Sequence, residues 1–238
     1  MFDKAIRYAR NIRNLVVGTD TVVNNLSDLL WKMHATELSR LDVCRNEILL
    51  EMRYGQTLPP EVPTRIINQQ KYDTLLQQNK LVLNIGCGYQ INEGMINIDM
   101  RELPGVDVVA DATNIDLPKE VAAGITCSHV LEHFPHEKVR RAILPHWVSL
   151  LRKGGYFRAT VPDAEGMIAA FAEGKMSFEN LRTVTFGLQE YVEDFHHTMF
   201  SRGSLRQILE EAGLGDVRFV ATARPNGACL EMEVFAYK

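Results

Sequence analysis

The stretch LVLNIGCGYQ, residues 81–90, decides the fold. Leu81, Val82 and Leu83 make an apolar run that reads as a buried strand, and Asn84 and Ile85 carry it into Gly86-Cys87-Gly88. A strand that ends in Gly-x-Gly leads into a tight turn where a ligand can approach the backbone closely. Working outward, the chain alternates strand and helix from about residue 64. A helix over 64–78 precedes the strand KLVLNIG (80–86), and MINID (95–99), VDVVAD (106–111) and AGITCSHV (123–130) are the next strands. A helix over 136–151 leads to the strand GGYFRATVPD (154–163). SLRQILEEAGL reads as a further helix, with Ser204 and Gln207 as a capping box and Gly213 as its C-terminal cap. DVRFVATA (216–223) and CLEMEVFAY (229–237) end the chain as two strands joined by a Pro-Asn-Gly turn. The expected fold is α/β, a doubly wound sheet with an antiparallel last strand.

Before that sheet, residues 1–56 read as a helical arm with no internal Pro. A first helix is expected to break at GTD (18–20), with Asp20 or Thr21 capping a longer second one. Val22, Leu26, Leu29 and Met33 are spaced 4, 3 and 4 apart, and the stripe resumes at Leu38, Leu41, Ile48 and Met52. Such a stripe needs cover from the domain, from a second copy as a homodimer, or from a partner protein. Lys4, Arg7, Arg10 and Arg13 give the first turns a basic face, so peripheral membrane contact is a weaker reading. GQTLPPEVP (55–63) marks a boundary, which sets the organisation as an arm (1–56), a linker with first helix (57–79) and the main domain (80–238).

The 238 residues carry a net charge of −4, so no global positive field draws the chain to nucleic acid. The four cysteines contain no CxxC pair, which argues against a structural zinc site or a disulfide framework. No apolar run is long enough to cross a bilayer and no secretory signal is visible, so a cytoplasmic location is expected. His129, His133 and His136 have helical spacing, but Pro135 interrupts the run, and no metal is expected.

Residues at the carboxyl ends of the strands line the ligand site of such a sheet. Here they are Gly86-Cys87-Gly88, Asp99, Asp111-Ala112, Ser128-His129 and Asp163. A P-loop is excluded because no Gly-Lys-Ser/Thr follows the glycines. A dinucleotide fingerprint fails because position 91 is Ile where a third glycine is needed. S-adenosylmethionine (SAM) has no phosphate. It needs close backbone approach at its amino-acid end, an acid for its ribose after the second strand, and another for its adenine near the third. Asp99 and Asp111 stand in those two places.

On these motifs the chain resembles the class I SAM-dependent methyltransferases. LNIGCG resembles their first motif, INID the ribose-binding acid and VVADAT the adenine-side acid. SHVLEHF (128–134), LLRKGGYFRATVPD (150–163) and FHHTMFSRGSLRQILEEAGL look like later motifs of the group that modifies small molecules and glycans, including bacterial members of polysaccharide gene clusters. The resemblance implies SAM as cofactor, S-adenosylhomocysteine (SAH) as product, and a site on Asn84, Gly86, Cys87, Gly88, Asp99, Met100, Asp111, Ala112 and Ser128. Asn84 replaces the acid usual before the glycines, Gln90 replaces a third glycine, and only ten residues separate Gly88 from Asp99, so the first helix is very short or absent. An Asn-Pro-Pro-Tyr motif for amide or base nitrogen is missing after the fourth strand, which favours an oxygen acceptor. His196 and His197 beside Asp194 are the leading general bases, with His129 and Asp163 as further candidates. The insert 164–200 brings Phe171, Phe178, Phe186, Tyr191, Phe195 and Phe200 as a cap. The alternative is a scaffold or binding protein that keeps the fold and works through its helical arm.

Overall fold

The computed structural model describes residues 2–54, 62–189 and 194–238, with side chains from residue 26 onward. The chain forms two compact units, residues 1–52 and 53–238. The first is one helix, α1 (Phe2–Tyr54). At 53 residues it is about 80 Å long. The break expected at residues 18–20 does not occur. A mid-helix glycine costs only about 1 kcal/mol relative to alanine, and with no proline nothing removes a backbone donor there. Leu26, Leu29, Met33, Leu41, Ile48 and Met52 on this helix are all exposed. The boundary expected at 55–63 falls largely outside the described residues.

The second unit is built on one eight-stranded sheet of order β1-β4-β3-β2-β5-β6-β8-β7. Its strands are β1 (Arg65–Ile66), β2 (Val82–Ile85), β3 (Ile96–Asp99), β4 (Val108–Val109), β5 (Ala122–Ser128), β6 (Leu151–Pro162), β7 (Gly215–Asn226) and β8 (Cys229–Tyr237). Strands β2 to β6 run parallel, and β8 lies antiparallel between β6 and β7. This is the doubly wound arrangement with antiparallel last strands that the sequence predicts.

Period-two alternation sorts the side chains of this sheet between two very different faces. Leu83, Ile85, Ile125, Phe157, Val161 and Val234 are fully buried on one face, under Trp147, Ile143, Leu205 and Leu209. The helix read over 64–78 is shorter, α2 (Gln69–Gln77), because β1 takes Arg65–Ile66. After the single turn α3 (His136–Lys138), the four covering residues come from the π-helical turn Val139–Ile143, α4 (Leu144–Leu150) and α7 (Arg202–Glu211). The π turn sits just ahead of Pro145, whose missing N–H and ring leave no room for regular α-helical bonding there. The other face is polar in register: Asn97 pairs with Asn84, Asn84 with Thr126, and Thr126 with Arg158.

Two local expectations shift. The capping box of α7 is made by Ser201 and Ser204, three residues earlier than read, because the Ser201 hydroxyl accepts from the Ser204 N–H while Ser204 Oγ accepts from the Ser201 N–H. The first strand-to-helix connection, 86–95, is turn and coil, as the short gap to Asp99 requires. Between β6 and α7 lie α5 (Ala164–Ala172) and α6 (Phe178–Phe186). Phe200 is core rather than cap, fully buried, whereas Phe171, Phe178, Phe186 and Phe195 are exposed. Tyr191 lies outside the described residues.

Candidate functional site

The glycine turn is shaped by its backbone. Gly86 has φ +66° and Gly88 φ +50°, both in the left-handed region that favours glycine. A Cβ at Gly86 would also overlap Val130 Cγ2, so the turn and the loop after β5 pack backbone against side chain. Between the glycines, Cys87 donates its N–H to the Ile98 carbonyl at 3.0 Å. Burial and the neighbouring Asp99 push its thiol up to about 12, so it is neutral.

Asp99 ends β3 and closes on this turn. Its Oδ2 accepts from the Gly88 N–H at 2.9 Å, and its Oδ1 accepts from the Arg101 backbone and guanidinium. Only 7% of Asp99 is exposed, so the carboxylate is oriented by donors rather than by solvent. Asp111 begins the loop after β4, where its Oδ1 accepts from the Thr113 N–H at 2.8 Å. The Ala112 carbonyl accepts from the buried Trp147 indole. Met100 directly follows Asp99, and Ser128 is exposed at the end of β5. Asn84, Gly86, Cys87, Gly88, Asp99, Met100, Asp111, Ala112 and Ser128 thus lie within or just beyond the carboxyl ends of β2 to β5.

Beside the turn, the polar sheet face opens into a cavity of about 560 Å³. Asn84, Gln90, Asn92, Ser128, His129, Arg158, Arg224 and Glu231 are among its lining residues. The helix-free connection 86–95 contributes Gln90, Ile91, Asn92 and Met95 to the wall.

His129 follows β5 with φ +52°, a strained conformation for a non-glycine residue. Its N–H is held by the Thr160 carbonyl, and its ring by two carboxylates, Nδ1 on Glu132 at 3.0 Å and Nε2 on Glu231 at 2.9 Å. Burial disfavours the charged ring, but the two carboxylates outweigh it and raise the pKa to about 9. His129 is therefore an imidazolium near neutral pH with both nitrogens engaged. Asp163 is equally committed. It caps α5 by accepting from Gly166 N–H, and it also accepts from Ala223 N–H at 2.8 Å.

His196 and His197 reach the same region from the cap. The backbone N–H groups of His197 and Thr198 both donate to the Glu132 carbonyl, at 2.8 and 3.3 Å, docking the cap onto the loop after β5. His196 Nδ1 is 2.7 Å from the Val184 carbonyl, and burial lowers its pKa, so its ring is neutral. The imidazole of His197 is exposed. His133 meets His196 edge-on, with ring centroids 4.8 Å apart.

Sequence reasoning missed Glu132, Arg158, Arg224, Glu231 and Glu233. Arg224 bridges Glu231 and Glu233, and Arg158 pairs with Glu233 at 2.6 Å. The signal was present in CLEMEVFAY, where acids alternate with buried Met232 and Val234 on a strand paired on both sides.

A family profile described as "Methyltransferase domain" matches residues 18–218. Among solved structures, a SAM-dependent methyltransferase from Archaeoglobus fulgidus aligns at TM-score 0.46 and 17% identity, over 81% of this chain and 99% of that one. One from Mesorhizobium loti aligns at TM-score 0.47 and 18% identity, over 66% and 90%. Human N-acetylserotonin methyltransferase, solved with SAM, aligns at TM-score 0.45 and 13% identity, over 72% of this chain and 52% of its own. No curated protein sequence matches. Among the described residues, no helix is long and apolar enough to cross a membrane.

Proposed function

The chain belongs to the methyltransferase domain family, with SAM as its cofactor, and on that premise we propose that it methylates a hydroxyl oxygen of a small polar molecule or glycan. Asp99 would hold the cofactor's ribose and Asp111 would serve its adenine, with the amino-acid end over Gly86–Gly88. The bound cofactor supplies an activated methyl, so the protein's task is alignment and handling of one proton. The S–CH₃ bond breaks as the O–CH₃ bond forms. The acceptor's hydroxyl proton passes to a histidine, and SAH leaves with the methyl ether.

One observation carries this reading: the His197 and Thr198 N–H groups anchor the paired histidines on the Glu132 carbonyl, beside the end of β5. His197 is assigned as the base, because the residue is exposed while His129 is clamped as a cation and Asp163 is used as a cap. The polar cavity supports a hydroxylated acceptor, since Asn, Gln, Arg and Glu side chains hydrogen-bond well to sugar-like groups.

Acceptor hydroxyls can be screened with methyl-labelled SAM. His197→Ala should lower kcat by about 10²–10⁴-fold with SAH affinity unchanged. Turnover at the native rate in His197→Ala would remove the base assignment. Label found on nitrogen or carbon would remove the oxygen acceptor.

A further inference from the structure

Glu132 is 1% exposed, and among the described residues its Oε2 is the one buried side-chain oxygen or nitrogen without a hydrogen-bond partner. A buried carboxylate oxygen left this way carries its full desolvation penalty, so it calls for a counterpart. His129 serves Oε1 alone. Around the same carboxylate, one oxygen of Glu132 and one ring nitrogen each from His133 and His196 lie within 4.8 Å of one another.

Both histidines have Nδ1 on a backbone carbonyl. His133 Nδ1 faces the Phe195 carbonyl at 3.3 Å, and His196 Nδ1 faces the Val184 carbonyl at 2.7 Å. A carbonyl can only accept, so the neutral tautomer of each ring that satisfies this contact has its proton on Nδ1 and its lone pair on Nε2. A backbone carbonyl on the far nitrogen is how metal-bound histidines are usually held. The two rings pack edge-on, with centroids 4.8 Å apart.

We propose that Glu132, His133 and His196 bind a divalent cation of the zinc type. Two imidazoles and one carboxylate favour zinc or a neighbouring transition ion over magnesium or calcium, which prefer all-oxygen shells. Three protein ligands leave one tetrahedral position open, the pattern of a catalytic rather than structural site. Tetrahedral ligands about 2.0–2.2 Å from an ion stand roughly 3.4 Å apart, so atoms now within 4.8 Å of one another close by at most about 1.4 Å on binding. Spacing within 128–136 does not predict this triple, because its third member arrives from the cap sixty-three residues after His133. The open position would take the acceptor oxygen and lower its pKa before the proton leaves for His197. That use of the ion rests on the oxygen-acceptor reading above; the binding site itself does not.

The full-length protein, stripped with chelator and dialysed, would be titrated with zinc sulfate by calorimetry, with magnesium chloride as comparison. About one zinc per chain with micromolar or tighter affinity is expected, with no comparable heat from magnesium. His133→Ala and His196→Ala should each weaken zinc by about 100-fold, and His136→Ala should leave it unchanged. SAH binding and circular dichroism would verify that each variant is folded. A folded protein that takes no zinc, or takes it equally well in both histidine variants, overturns the proposal. Zinc bound at the triple while no acceptor oxygen is methylated would leave the site standing and overturn the oxygen-acceptor reading alone.

Discussion

Gly86→Ala should damage stability and cofactor binding together, by two separable mechanisms. Gly86 has φ +66°, and an L-residue there costs about 1–2 kcal/mol. The added Cβ also overlaps Val130 Cγ2 and lies 3.2 Å from Cγ1. Val130 is buried in the main core with only 7% exposure, so it has little room to turn away. Overpacking of this kind costs about 1–3 kcal/mol. The sum is about 2–5 kcal/mol in urea denaturation at constant m-value. Val130→Ala in the same chain tests the second mechanism, because it removes the clash and leaves the backbone strain. The double variant should be about 1–3 kcal/mol more stable than the two single losses added together. SAH affinity should fall in Gly86→Ala and stay low in the double variant, since the turn's backbone stays strained. Stability of Gly86→Ala within about 0.5 kcal/mol of native, or strict additivity with Val130→Ala, would refute the account.

Other expectations concern the buried acids. Asp99→Ala removes a carboxylate already oriented by Gly88 and Arg101, and SAH should bind roughly 10- to 100-fold more weakly; an unchanged Kd would remove Asp99 from the cofactor site. Burial works to raise the pKa of Asp107, but the Asn97 N–H, the Lys71 ammonium and the Asn68 amide outweigh it and lower the value. A depressed folded pKa contributes stability above the unfolded carboxylate value of about 4 and loses it as pH falls through the folded value. Chemical denaturation between pH 7 and 3 should therefore show a loss on acidification that is smaller in Asp107→Asn; parallel pH profiles would contradict this.

Much of the fold was legible because its signals are local. Apolar runs ending in Gly-x-Gly, Asp99 and Asp111 gave the parallel strands and their carboxyl ends, and the short gap before Asp99 removed the first helix. The break expected at residues 18–20 failed because a glycine lowers helix stability only slightly, and a 53-residue helix absorbs that cost. What stayed hidden depends on contacts between distant segments. Glu132 reads as part of a turn until the cap lays His197 against its carbonyl. The clamp on His129 needs Glu231 from a strand 102 residues away.

The departure at Asn84 has a structural cause that can be followed atom by atom. Asp107 is buried, carries a charge paired with Lys71 at 2.7 Å, and only accepts hydrogen bonds. Asn97 must therefore turn its Nδ2 toward Asp107 Oδ2, at 3.0 Å, which leaves its Oδ1 facing β2. That oxygen takes the Asn92 N–H and, at 3.0 Å, a proton from Asn84 Nδ2. The same Nδ2 donates to the Gln90 carbonyl at 3.1 Å, holding the far end of the glycine turn, and Asn84 Oδ1 accepts from Thr126. Position 84 must then donate on one side and accept on the other, which an amide does and a carboxylate does not. Asn84→Asp would set an acceptor against the Asn97 and Gln90 oxygens and lose two hydrogen bonds in a part-buried network. The cost should be about 2–4 kcal/mol at pH 7 by urea denaturation, shrinking at acid pH as the new carboxyl is protonated and regains a donor. Native stability in Asn84→Asp at pH 7 would show that the donor direction set by Asp107 does not reach the turn.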